Sequence, residues 1–241
     1  MIVEYLVLFV VAALAGGIAS LSGFGIGSLL TPLLALRMDL QLAVAAVSIP
    51  HFLATAVRFF LLRRHLRREI LLSFGIWSAL GGISGALLHN IAGSPLLIKI
   101  LATLLVFAGG SGMLSLSEKL KIPAKLSWLA GLLSGLFGGL VGNQGGIRAA
   151  ALMSFDLPRH EFVAAATAVG LIVDLARMPV YLAWRSADLV PLSLPILIAC
   201  AGVLVGTWLG KPVLGQLPEK TFRQIVSFTI LSLGIWLFIR A

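Results

Sequence analysis

Charged residues and prolines divide the chain into apolar blocks at 3–36, 40–62, 70–90, 95–116, 126–155, 160–184, 189–210 and 221–239. Most of them run to about 20 residues, the length that spans a ~30 Å hydrocarbon core at ~1.5 Å of rise per residue. Each such block predicts a membrane helix. The first and fifth blocks are longer, and each is interrupted by a glycine cluster. One cluster is Ser22-Gly23-Phe24-Gly25-Ile26-Gly27, and the other is Gly138-Gly139-Leu140-Val141-Gly142-Asn143-Gln144-Gly145-Gly146. Backbone that leaves the helix at membrane depth has unsatisfied amides, tolerated only when buried in protein or lining a watery cavity. Both blocks therefore read as broken helices or re-entrant hairpins.

Composition agrees with a bilayer as the solvent. The chain has 241 residues, 59% of them hydrophobic and 11% charged, with a mean hydropathy of +1.07. A soluble domain carries about 25% charged residues. Cys200 is the only cysteine, which excludes disulfides within the chain and a thiolate metal cluster. The net charge of +9 reads as positive-inside loops, and no nucleic-acid partner is expected. The first basic residue is Arg37 and Glu4 stands near the start, so the N-terminus predicts a membrane element rather than a secretory signal.

The two halves match each other. An offset of 119 residues places Gly23 on Gly142, Gly27 on Gly146, Ser48 on Thr167 and Arg58 on Arg177. With small gaps the pattern extends to Gly81 and Gly85 with Gly202 and Gly206, and to Gly110 with Gly234. The sequence thus predicts an all-α integral membrane protein of two repeats, 1–117 and 118–241, each a glycine-broken helix followed by three transmembrane helices. Basic residues cluster at Arg63, Arg64, Arg67, Arg68, Lys119, Lys121, Lys125, Arg159, Lys211, Lys220 and Arg223. All fall on one face if each broken block returns to its own side, and the positive-inside rule makes that face cytoplasmic. The halves are then inverted, and both termini face the periplasm or exterior. The spacings Gly81-xxx-Gly85, Gly131-xxx-Gly135, Gly138-xxx-Gly142 and Gly202-xxx-Gly206-xxx-Gly210 predict close helix packing.

The inventory of reactive residues argues against an enzyme. The chain has no HExxH, GxSxG or P-loop and no close carboxylate pair, so no catalytic residue, metal or cofactor is assigned. The histidines at 51, 65, 89 and 160 are scattered, three of them at or near loops. Polar groups within the apolar blocks are few. Ser22, Ser28 and Thr31 flank the first break, and Asn143, Gln144 and Arg148 flank the second. Arg58, Asp174 and Arg177 lie in the second helix of each half. An ionised group at membrane depth costs at least ~2.5–3.5 kcal/mol, so each calls for a reason. Arg58 is close enough to Arg63 to snorkel, and Asp174 with Arg177 at i,i+3 can neutralise each other. Arg148, at the start of a short helix leaving a break, suits an anion. Free N–H groups and the positive dipole end of such a helix attract anions, and a guanidinium fork fits carboxylate, sulfonate or sulfite oxygens. The candidate substrate site therefore comprises Ser22, Gly23, Gly25, Gly27, Ser28, Thr31, Asn143, Gln144, Gly145, Gly146, Arg148, Arg58 and Arg177. Asp174, the lone mid-membrane carboxylate, is the candidate for proton coupling.

The run from Leu14-Ala15-Gly16-Gly17 through Gly23-Phe24-Gly25-Ile26-Gly27 into Thr31-Pro32-Leu33-Leu34 resembles the TauE/SafE (TSUP) family of sulfite and organosulfur-anion exporters. A second copy runs from Ala130-Gly131-Leu132-Leu133-Ser134-Gly135 through Gly145-Gly146 to the Ala-rich segment 163–167. The resemblance covers essentially the whole chain. It implies a bacterial-type inner-membrane carrier for a small sulfur-containing or carboxylate anion. The residues themselves predict a multi-pass secondary transporter that works by alternating access around the tips of the two breaks, with the lipid bilayer as its other partner and self-association left open. Competing readings are a passive anion channel, an intramembrane lipid-phosphate hydrolase, which would need a base and a carboxylate pair, and a membrane subunit without its own substrate.

Overall fold

The computed structural model describes residues 2–114, 122–214, 216 and 218–240. Among these all regular secondary structure is helical, with no strand. The first block forms α1 (Ile2–Ser22) and α2 (Ile26–Leu34), and the fifth forms α7 (Ser127–Val141) and α8 (Gly145–Leu152). The second block is α3 (Leu40–Leu62). The third is a short α4 (Arg68–Ile70), a π segment (Leu71–Gly75) and α5 (Ile76–Ile91). The remaining blocks are α6 (Ser94–Met113), α9 (Arg159–Leu189), α10 (Ser193–Leu214) and α11 (Glu219–Arg240). The chain is a multi-pass membrane protein. Among the described residues six stretches are long and apolar enough to span a bilayer, and one of them, Arg159–Gly210, holds both α9 and most of α10.

The breaks are narrower than the glycine clusters suggest. Gly138 and Gly139 remain helical, and α7 ends only at Gly142, which adopts the left-handed conformation (φ 72°). Gly142 is therefore a helix terminator, and Gly138 packs against the Gln144 side chain, so this pair does not form the small-residue helix face that its spacing predicts. In the first block only Gly23 to Gly25 leave the helix, and Gly27 belongs to α2.

Helix partners are exchanged between the halves. The most extensive contacts pair α1 with α10, α5 with α7, α6 with α11 and α3 with α9. The first helix of each half thus lies on the third spanning helix of the other. The second helices meet each other, as do the last ones. The α5–α7 and α1–α10 seams are close because they lack side chains: a β-carbon on Gly85 would collide with the Leu136 carbonyl, and one on Gly206 with that of Ala13. At the α6–α11 contact Gly109 rather than Gly110 faces Leu231, since space beside Gly110 is open. Side chains turned outward, among them Leu6, Phe60, Trp208, Phe228 and Phe238, are large and apolar, as a lipid-facing surface requires.

Both ends of each broken block lie together. Arg37, after α2, pairs with Glu4 near the start of α1 at 3.0 Å. Ile122 and Ala130, around the start of α7, share one apolar cluster with Ala151, Leu152 and Phe155 at the end of α8. The segment after α3 meets the start of α9 through Arg67 and Glu161 and through the rings of His65 and His160. Lys119 and Lys121 lie outside the described residues.

Candidate functional site

The two breaks meet in the interior. A β-carbon on Gly27 would run into the Gly142 carbonyl oxygen, and one on Gly145 would lie 2.7 Å from Phe24. Ser28 Oγ donates to Asn143 Oδ1 across the contact at 3.2 Å. Neither α2 nor α8 has a side chain capping its N-terminus, so both present backbone N–H groups and a positive dipole end at the crossing. Around them lie buried polar atoms without a protein partner: Thr31 Oγ1, Asn143 Nδ2, and both Nε2 and Oε1 of Gln144. Buried polar groups are nearly always paired, so these atoms are free to donate to or accept from a bound molecule.

The glycines and Ser22 divide between shaping and exposure. Gly23 (φ 79°) and Gly25 (φ 127°) make the first turn, in conformations that side chains with a β-carbon rarely adopt. Ser22 serves its own turn, with its hydroxyl near the Ile18 and Phe24 carbonyls and accepting from the Phe24 amide. Gly146 is half-buried and has only Ala108 nearby.

One turn into α8, Arg148 carries its guanidinium into a charged layer between α3, α8 and α9. It is 2% exposed, and its Nη1 abuts Gly170 of α9 near Thr55 of α3. Its Nε and Nη1 have no hydrogen-bond partner, and neither do Nε and Nη1 of Arg58. Arg58 does not snorkel to the surface; it is 3% exposed, and its Nη2 donates to Thr55 Oγ1 at 3.3 Å. The two guanidiniums are near enough to repel each other.

Opposite them, Asp174 is fully enclosed. Arg177 reaches its Oδ1 from Nε at 3.1 Å and from Nη2 at 2.9 Å, while His51 Nδ1 is 2.6 Å from Oδ2. The third nitrogen of Arg177 donates to the Gly138 carbonyl and Tyr181 donates to that of Gly139, which anchors the end of α7 to α9. The expected Asp174–Arg177 pair is present, and it also holds the helix that leads into the second break. Arg58, Arg148 and Arg177 against Asp174 leave an excess of two positive charges with His51 neutral. In a medium that penalises every unpaired charge, an anion restores the balance.

His51 was not distinguished by sequence from the other histidines. Its signal lay in spacing, because His51, Thr55 and Arg58 fall at i, i+4 and i+7 on one face of α3. The 119-residue offset also sets Thr55 on Asp174 where it sets Arg58 on Arg177. Each half therefore carries an i,i+3 motif, with a carboxylate in the second and a hydroxyl in the first. Thr167 on α9 adds another unpaired buried hydroxyl. The other buried histidine, His89, faces the Leu140 and Gln41 carbonyls and tethers the start of α3 and the end of α7 to α5. Among the described residues no group of acidic, histidine or cysteine side chains could hold a metal ion.

Compared with known proteins, the chain matches the family model described as Sulfite exporter TauE/SafE over residues 8–237. No curated protein and no solved structure matches it.

Proposed function

Since the chain belongs to the sulfite exporter TauE/SafE family, a family of transporters, we propose that it carries a small anion of the sulfite, sulfonate or carboxylate type across the bacterial inner membrane. The observation that carries this reading is the buried excess of arginine, with two guanidiniums holding unsatisfied N–H groups in a bundle that also brings two uncapped helix N-termini together. Arg58 and Arg148 supply charge to the substrate. Ser28, Thr31, Asn143, Gln144 and the amides that follow Gly25 and Gln144 supply neutral hydrogen bonds. Gly23, Gly25, Gly27, Gly145 and Gly146 let the substrate approach the backbone, Ser22 sets the first turn, and Arg177 positions Asp174 and the end of α7.

The mechanism we propose is alternating access between inverted repeats, 1–117 and 118–241, around this crossing. It is supported by the reciprocal helix partners and by the return of each broken block to its own start. Enclosure of every charged group in the layer fits an occluded carrier better than an open channel. Basic loops around 63–68 and 159 are then cytoplasmic, and both termini are periplasmic.

A thermal-shift screen of the purified protein with sulfite, sulfate, sulfonates and short carboxylates tests the proposal. A ligand at a hundredfold excess over its Kd stabilises by about 2.7 kcal/mol, or roughly 5–10 °C for a chain of this size. A melting temperature that none of these anions moves refutes it.

A further inference from the structure

We infer that His51 is the proton-binding group of this site and that it takes up a proton together with the anion, so that binding of the two is linked. The inference rests on the anion-transport reading above, and its starting point is the way Asp174 is engaged. Asp174 is the only carboxylate in the layer, yet Arg177 takes one of its oxygens and His51 the other. A carboxylate with both oxygens facing donors inside a sealed interior is poorly placed to receive a mobile proton. His51 is better placed. With its Nδ1–H donating to Asp174 Oδ2 at 2.6 Å, the tautomer is fixed, and Nε2 is left as the atom that accepts a proton. Asp174 is wholly enclosed, whereas His51 retains 6% of its surface.

The surroundings make this proton responsive to the substrate. The charged groups facing His51 are Asp174 and Arg177 from α9 and Arg58 from its own helix. Arg148 from α8 lies past Thr55, whose hydroxyl is 3.4 Å from His51 Nδ1 and accepts from Arg58. Of the other elements against α3, α2 and α7 carry no charged residue, α6 carries only Lys99, α10 only Lys211, and the turn after α3 carries Arg63, Arg64 and His65. Without an anion, the cationic excess opposes an imidazolium. An anion on Arg58 and Arg148 removes that opposition. Linkage is reciprocal, so a protonated His51 must in turn raise anion affinity by the same factor. The first half has Thr55 where the second has Asp174, so no second carboxylate competes for the proton.

The test uses sulfate and methanesulfonate, whose own charges stay constant between about pH 5.5 and about pH 8.5, where an ordinary histidine titrates. Binding to the purified full-length protein is measured across that range. For one linked proton, Kd rises with pH by up to about tenfold per pH unit over the interval between the titration of His51 in the free protein and in the anion complex, and levels off above it. In His51→Asn the amide can still donate to Asp174 but cannot titrate, and sulfate should bind with a Kd flat in pH. On wild-type protein in weak buffer, adding sulfate should draw up to one proton from solution, a readout that needs no variant. Binding that is independent of pH, no proton uptake, or a pH dependence that persists in His51→Asn would overturn the inference while leaving the anion site standing. Failure of both anions to bind at any pH would remove the anion reading itself and this inference with it.

Discussion

Replacing Arg148 with methionine separates a ligand-binding arginine from a structural brace, because the two roles predict opposite signs of stability change. Arg148 is 2% exposed, its Nε and Nη1 have no partner, and Arg58 repels it. An arginine at membrane depth costs at least ~2.5–3.5 kcal/mol, and replacing buried ionic groups by apolar ones of similar volume is often neutral or stabilising by ~1–4 kcal/mol. Arg148→Met should therefore stabilise the anion-free protein by about 1–3 kcal/mol, seen as a melting temperature several degrees higher. The same change removes a charge-assisted contact of roughly 2–4 kcal/mol to the anion, which weakens binding between about thirtyfold and several hundredfold. Arg148→Lys should recover only part of that loss, since a point charge lacks the fork. Differential scanning fluorimetry without ligand and calorimetric titration with sulfite give the two numbers. A less stable Arg148→Met protein with unchanged sulfite affinity would mean that the arginine only holds the bundle together.

Asp174→Asn alone should destabilise more than Asp174→Asn combined with Arg177→Met, because a lone buried charge is worse than none; a double variant less stable than either single one would contradict the pairing. Gly27→Ala should abolish transport or folding, since its β-carbon meets the Gly142 carbonyl, while Gly110→Ala, with nothing within 4 Å, should leave yield and transport intact. In sealed cells, membrane-impermeant thiol reagents should miss single cysteines placed at 63–68, 118–125 and 211–220; strong external labelling near 211 would indicate parallel repeats.

The architecture was legible in the sequence to the extent that it follows from the length and spacing of apolar blocks. The helices fall within a few residues of those blocks, except that α9 continues to Leu189, five residues past the block end, through Arg185 and Asp188. Those two form an i,i+3 ion pair, so charges that mark a boundary in a hydropathy pattern instead help the last turns stay helical. The π segment at Leu71–Gly75 left no mark in the pattern. Breaks were visible because glycine clusters are rare in spans, but their limits were not, because whether a glycine stays helical depends on packing. Gly139 lies in a helix seam and Gly142 ends the helix, though both belong to one cluster. Arg148 stood out as a charge without a local partner. His51 did not, because its partner Asp174 is 123 residues away. The 119-residue offset offered the missing link, since it sets Thr55 and Arg58, which share a helix face with His51, on Asp174 and Arg177.

The central claim, that this chain moves an anion through a site at the crossing of its two breaks, is tested most directly by counterflow in proteoliposomes. Purified protein is reconstituted into vesicles loaded with unlabelled sulfite, and entry of radiolabelled sulfite from a trace outside concentration is followed, with a sulfonate and a short carboxylate measured in parallel. The account predicts transient accumulation of at least one of these anions with wild-type protein, and none with folded Arg148→Ala. Wild-type vesicles that exchange none of the three, or Arg148→Ala vesicles that exchange them as fast as wild type, would contradict it.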